Sequence, residues 1–235
     1  MPFDFLNYRH YSINYSNLFN ELNSQKFLSD ENIQIQYLEK WMEALEYHDD
    51  IIKNELKTQE SILKLRLKLQ SEPEIFQLPV NHKNMDVLLH FRASIANGIF
   101  PKSEGQFIPL DEFVRKKSQF KWTPVETNVD AYSNSKEPII VVPFLNNQYK
   151  YLVIDGNHRL TYKTKNNIDD IHALGISEQT VIEFSLFSST FDKFYYIMFN
   201  ELNHMANATH YKKANALQLI QKSYLRDGKF KFLDE

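Results

Sequence analysis

Leu38, Trp41, Met42, Leu45, Ile52, Leu56, Leu63 and Leu67 recur at spacings of three, four and seven, which predicts helix over Ser29 to Gln70. Ser29 reads as the N-cap, and Asp30 and Glu31 supply the acids that the helix dipole favours in a first turn. Unbroken, such a helix would be about 60 Å long. A break at Tyr47–Asp50, folding it into an antiparallel hairpin, is the more compact alternative. The heptad is not clean, so the stripe fits packing within the chain better than a dimerising coiled coil. Residues 85–97, "MDVLLHFRASIAN", predict a further helix, stopped by Gly98 and Pro101.

The pattern changes character near Lys102. "FIPLDEF" (107–113) and "EPIIVVPF" (137–144) read as short buried strands, "NNQ" (146–148) as a turn, and "YKYLVID" (149–155) as an alternating strand. Residues 138–155 therefore predict a hairpin. Helix follows from Asn157 to about Lys165, "HALGIS" (172–177) reads as a helix end near Gly175, and "QTVIEFSLF" (179–187) as a strand. Two helices close the chain, at 189–205 and 209–226, the second before Gly228. The expected class is α+β, with a helical region over 1–104 and a small mixed sheet with its helices over 105–235.

Composition narrows the chemistry. The 27 Lys and Arg against 30 Asp and Glu give a net charge of −3, which argues against a strongly basic nucleic-acid binder. With no cysteine, thiol chemistry and disulfides are excluded, and any metal would need His, Asp, Glu or Asn. "MPFDFLNYRHYS" shows no basic start followed by an apolar run, and no apolar stretch reaches the roughly 20 residues that span a bilayer. The expectation is a cytoplasmic protein without a membrane partner. His48, His82, His90 and His172 are scattered without ligand spacing and read as surface or helix-face residues. "RHYSINYSNLF" (9–19) has few basic neighbours and reads as packing, whereas "VRKKSQFKW" (114–122) is the densest basic cluster and carries two aromatics. That cluster is either a solvated loop or a polyanion contact near a phosphate site at residues 155–159.

The stretch with the most chemistry is "YLVIDGNHRLTYK" (151–163). Strand, tight turn and helix form the geometry in which backbone N–H groups converge on an anion. Gly156 allows close backbone approach or positive φ, and Arg159 in the first turn is able to fork onto phosphate oxygens. His158 is suited to donate to phosphate, bind a metal or move a proton, and Asp155 to hold a divalent cation or orient water. The plainer alternative is a junction in which Asp155 caps the helix and Arg159 pairs with a surface acid.

The order "FIPLDEFV", "EPIIVVPF", "YKYLVIDGNHRLTYKT" and "TVIEFSLF" resembles the ParB/sulfiredoxin superfamily over roughly 106–187. The "IPL" strand, the "PI-V" strand and the "DG-HR" turn opening a helix carry the resemblance. It implies a nucleotide or phosphate site at Gly156, Asn157, His158 and Arg159, with Asp155 beside it. Sulfiredoxin chemistry needs a cysteine and is out. Partition-type members carry a "GERR" box where this chain has "GNHR", which argues against that branch. Other members are DNases, NTPases or small-molecule kinases. The family's later "EN--R" box falls near "FNELNHMANATHYKKA" (199–214), which lacks the Arg and offers Asn200, Glu201, Asn203 and His204 as secondary candidates.

Two functions stay open. One is a metal-assisted phosphoester hydrolase, an NTPase or DNase, using Mg or Mn. Asp155 would be the metal ligand or water-orienting acid, His158 the proton-transfer group, and Arg159 the charge stabiliser. The other is a non-catalytic module that holds a nucleotide or phosphate, with a protein partner on the N-terminal helices. DNA is a candidate partner in the first case, and a small-molecule kinase is a further alternative.

Overall fold

The computed structural model describes residues 2–71, 75–100, 104–146 and 148–232. Pro101, Lys102 and Asn147, which figure in the expected helix stop, change of character and turn, lie outside them. In chain order the elements are strands β1 (Phe3–Asp4) and β2 (Arg9–His10), then helices α1 (Tyr15–Asn23), α2 (Glu31–Glu55) and α3 (Gln59–Ser71). Strands β3 (Ile75–His82) and β4 (Met85–Arg92), helix α4 (Ala93–Ile99), β5 (Gln106–Pro109), α5 (Asp111–Val114) and β6 (Phe120–Lys121) follow. After a 3-10 turn at Val129–Tyr132 come β7 (Ile139–Pro143), β8 (Tyr151–Asp155), α6 (Asn157–Lys165) and β9 (Asp170–Gly175). Helices α7 (Glu178–Glu183), α8 (Thr190–Lys212), α9 (Ala216–Gln221) and α10 (Tyr224–Asp227) close the chain. The class is α+β, and among the described residues no helix is long and apolar enough to cross a membrane.

The chain forms two compact units, one from residues 1–91 and 187–235 and the other from residues 92–186. This differs from the sequential division at 104/105, because the closing helices group with the N-terminal ones. The second unit is an insertion whose ends meet: the Arg92 amide donates to the Leu186 carbonyl at 3.0 Å.

In the first unit the apolar stripe of α2 buries Leu38, Trp41 and Leu45, and α8 buries Phe191, Tyr195, Met198, Leu202 and Met205. Asp30, not Ser29, caps α2, its side chain accepting from the Ile33 amide at 3.0 Å. The helix does not break at Tyr47–Asp50. Asp49 there is fully buried, accepts from the Tyr15 hydroxyl at 3.0 Å and pairs with Lys53 at 2.9 Å, which suits continuous helix. The break comes after Glu55, where Thr58 and Ser61 exchange backbone-to-hydroxyl hydrogen bonds and start a new helix.

The helix expected at 85–97 is corrected. Met85–Arg92 is a strand paired with β3, and only Ala93–Ile99 is helical. Val87, Leu89 and Phe91 are fully buried at every second position, the period of a strand. The expected second closing helix, 209–226, is also different. Helix α8 runs on to Lys212, ends at left-handed Lys213, and α9 and α10 restart on Asn215 and Ser223 caps.

The second unit is built on a five-stranded mixed sheet in the order β5-β9-β7-β8-β6. β7 pairs antiparallel with β8, as the expected hairpin requires, and parallel with β9. β5 is antiparallel to β9, and β6 parallel to β8. The stretch 172–177, read as a helix end, is therefore mostly strand β9, held between β5 and β7. The stretch 179–187, read as a strand, starts as helix α7, which Ser177 caps by accepting from the Thr180 amide at 3.2 Å. The first strand ends early, at Pro109, and Asp111–Val114 forms α5. Ile139, Val141, Val153, Ile171 and Ala173 from the sheet pack with Leu160 of α6 and with Leu110 and Phe113 in one core.

Candidate functional site

Strand β8 hands directly to α6 through Gly156, as the sequence pattern predicts. The register of β7 against β8 slips by one residue between Ile140 and Val141, so β8 carries an extra residue, Ile154, just before Asp155. Such a bulge bends a strand and re-aims the side chain that follows. Gly156 then takes φ of 88°, left-handed backbone that a side chain disfavours. A Cβ there would lie 2.4 Å from Ile139 Cγ2 and 2.9 Å from an Arg159 nitrogen. Glycine is needed on both counts.

No side chain caps α6. The first N–H groups of any helix lack intrahelical partners, so the amides of Asn157, His158 and Arg159 form the positive end of the dipole. Beside them, Asp155 is fixed by three donors. Its Oδ1 accepts from the Gly156 amide at 2.6 Å, and its Oδ2 from Asn97 Nδ2 at 2.6 Å and from an Arg159 terminal nitrogen at 2.9 Å. Arg159 is buried to 7% exposure, and its other terminal nitrogen reaches Glu137 at 3.4 Å. Among the described residues its Nε has no partner.

The remaining motif residues hold one loop. Asn157 Oδ1 accepts from the Thr123 amide at 2.8 Å, and Thr161 Oγ1 from the Val125 amide at 3.1 Å. His158 is half-buried and stacks on Tyr132, with centroids 5.0 Å apart and planes 24° from parallel. With the Glu137 contact, four side chains of α6 thus pin the segment 123–137. Asn97, Glu137, Thr123 and Tyr132 were not singled out in the sequence, because no local spacing announces a partner that lies 22 to 58 residues away.

Among the described residues no group of three or more His, Asp or Glu gathers as a metal site would. The Asp155 carboxylate already accepts three hydrogen bonds and faces a guanidinium, so a divalent ion bound there would compete with Arg159.

The secondary candidates belong to the other compact unit, where Asn200 and Glu201 are buried and Asn203 and His204 half-buried. Glu201 is fully buried and accepts from the Tyr37 hydroxyl at 2.6 Å, the Ser223 hydroxyl at 3.1 Å and the Tyr224 amide at 2.6 Å. Burial pushes its pKa up to about 7. Asn200 is buried, Asn203 donates to the Phe199 carbonyl at 2.8 Å, and His204 stacks on Phe232. His82 and His90, read as surface or helix-face residues, instead lie on strands with interior side chains. His90 Nδ1 lies 3.0 Å from Asp192 and its Nε2 3.0 Å from Gln77, while His82 sits between Glu21 and the Tyr195 hydroxyl. Their sequence neighbours give no sign of this, since every partner but Gln77 is more than 60 residues away. No family model, no curated protein and no solved structure matches this chain.

Proposed function

We propose that the chain is a phosphate- or nucleotide-binding protein of the ParB/sulfiredoxin-like kind, with its ligand at the amino end of α6. Arg159 is the observation that carries this. Asp155 holds one terminal nitrogen at 2.9 Å; among the described residues the other has a single 3.4 Å contact, to Glu137, which is 48% exposed, and Nε is buried without a partner. A phosphate that displaces Glu137 would gain charge-assisted donors from Arg159 together with the uncapped amides of α6. His158 supplies a further donor, and its stacking on Tyr132 limits the entropy lost on binding.

Titration calorimetry with inorganic phosphate and a panel of nucleoside triphosphates tests this reading. Glu137→Gln removes the competing carboxylate and is expected to tighten binding, while His158→Ala weakens it. A wild type that binds none of these ligands contradicts the proposal.

A second reading, metal-assisted hydrolysis, is favoured by one observation: Asp155 is fixed at the strand end and His158 follows in the first turn of the helix. There Asp155 would orient water or an ion, His158 would move a proton, and Mg or Mn would arrive with a triphosphate or DNA. A divalent-metal screen of triphosphate hydrolysis and DNA nicking decides it. His158→Ala should cost roughly 10²–10⁴ in turnover if the histidine transfers a proton. Binding without turnover leaves the non-catalytic module.

A further inference from the structure

The basic cluster 114–122 contributes no residue to the Asp155–Arg159 turn, and from Arg115 on it builds a groove. Residues after α5 and along β6 face Gln148 and Tyr149 before β8, leaving a cleft of about 670 Å³. Arg115, Lys116, Lys117 and Lys121 line it, with no carboxylate among its lining residues. That sign is opposite to the net −3 of the whole chain. Lys116 and Lys117 are exposed, and among the described residues neither is in an ion pair. Arg115 is paired with Glu112, and Lys121 stands 5.5 Å over the Tyr149 ring.

Phe113, Phe120, Trp122 and Tyr149 add aromatic rings to the wall, which Ser118, Gln119 and Gln148 complete. Phe120 stacks on Tyr151, with centroids 5.2 Å apart and planes 26° from parallel. Trp122 is half-buried, and its indole N–H donates to the Phe113 carbonyl at 3.1 Å, which fixes the ring. Cations beside rigid aromatic rings match a ligand that carries repeated phosphates and exposed base faces. A single strand offers both, whereas a duplex hides its base faces in the stack.

We infer that this groove binds single-stranded nucleic acid. The lining contains no residue of the Asp155–Arg159 turn, and it comes near α6 through Trp122, the neighbour of Thr123, whose amide Asn157 holds. Binding in the groove therefore goes beyond phosphate binding at α6 and does not depend on it.

The test uses the full chain with a labelled oligodeoxythymidylate, followed by anisotropy and by tryptophan fluorescence. Trp122 lines the groove and Trp41 is fully buried, so quenching reports on the groove. Affinity is expected to fall with salt, with a log–log slope near −2 to −3 for four cations at about −0.7 per phosphate. The Lys116→Glu/Lys117→Glu variant, altered at two exposed positions, should lose at least tenfold in affinity. Tyr149→Ala should weaken binding roughly tenfold while leaving the salt slope in place, since stacking carries no counterions. Loss of oligonucleotide binding by the double lysine variant, with triphosphate binding retained, separates the groove from α6. No binding by wild type, or equal binding by the lysine variant, overturns the inference. So does equal affinity for a duplex or for inorganic polyphosphate without Trp122 quenching.

Discussion

At Gly156 one missing side chain sets the geometry of the proposed phosphate site. Its φ of 88° would cost an alanine about 1–2 kcal/mol on backbone grounds. The added Cβ would also meet Ile139 Cγ2 at 2.4 Å, and Ile139 is a fully buried core residue that cannot yield cheaply. Gly156→Ala should therefore lower the unfolding free energy by at least about 2 kcal/mol, read as a fall in the urea midpoint. An unchanged midpoint would mean that the turn relaxes to another conformation. The need for glycine was legible in the sequence as a glycine between an apolar strand and a helix. The identities of its neighbours were legible only in part. For Arg159 the sequence offered a phosphate or an acid as partner; it pairs with Asp155 and touches Glu137, and nothing in a local pattern says which acid a guanidinium will meet.

At the scale of elements, β7, β8 and α6 were readable because their signals are local. An apolar run, a turn, an alternating run, a glycine and a helix-forming stretch follow one another without ambiguity. Residues 85–97 satisfied two periods at once. Val87, Phe91 and Ile95 repeat every fourth position, while Val87, Leu89 and Phe91 repeat every second, and pairing with β3 decides for the strand up to Arg92. Likewise the apolar run at 179–187 fits a strand, but the Ser177 cap starts a helix whose Val181 and Ile182 are buried. The segment 123–137 shows what local reading misses most. It has little regular structure, and it is held by Asn157, Thr161, His158 and Arg159. Asn157→Ala removes the acceptor of the Thr123 amide, and Thr161→Val that of Val125. Each should cost about 1 kcal/mol and speed hydrogen exchange at its own amide. Exchange at Thr123 and Val125 that matches wild type in both variants would show that other contacts hold the loop.

For the molecule as a whole, residues 92–186 are inserted between two parts of the other unit, a grouping that differs from a sequential division. Helices that are far apart in sequence share one core, and Glu201 of α8, Tyr37 of α2 and Ser223 meet inside it. This places a pH dependence on global stability. Burial raises the Glu201 pKa from 4.5 to about 7, so the folded state keeps a proton that the unfolded state releases. The resulting stabilisation is complete below about pH 4.5 and is lost as pH rises through 7, a change of order 3 kcal/mol. Urea unfolding at several pH values should show this fall, and Glu201→Gln should flatten it. A wild-type profile that rises steadily from pH 5 to 8 would contradict the assignment. The central claim, an anion held at the amino end of α6, is tested most directly by amide NMR during titration with nucleoside triphosphate. Binding there requires the amides of Asn157, His158 and Arg159 to shift most, with Glu137→Gln saturating at lower ligand concentration than wild type. Shifts confined to other elements, or no shift with any triphosphate, would contradict it.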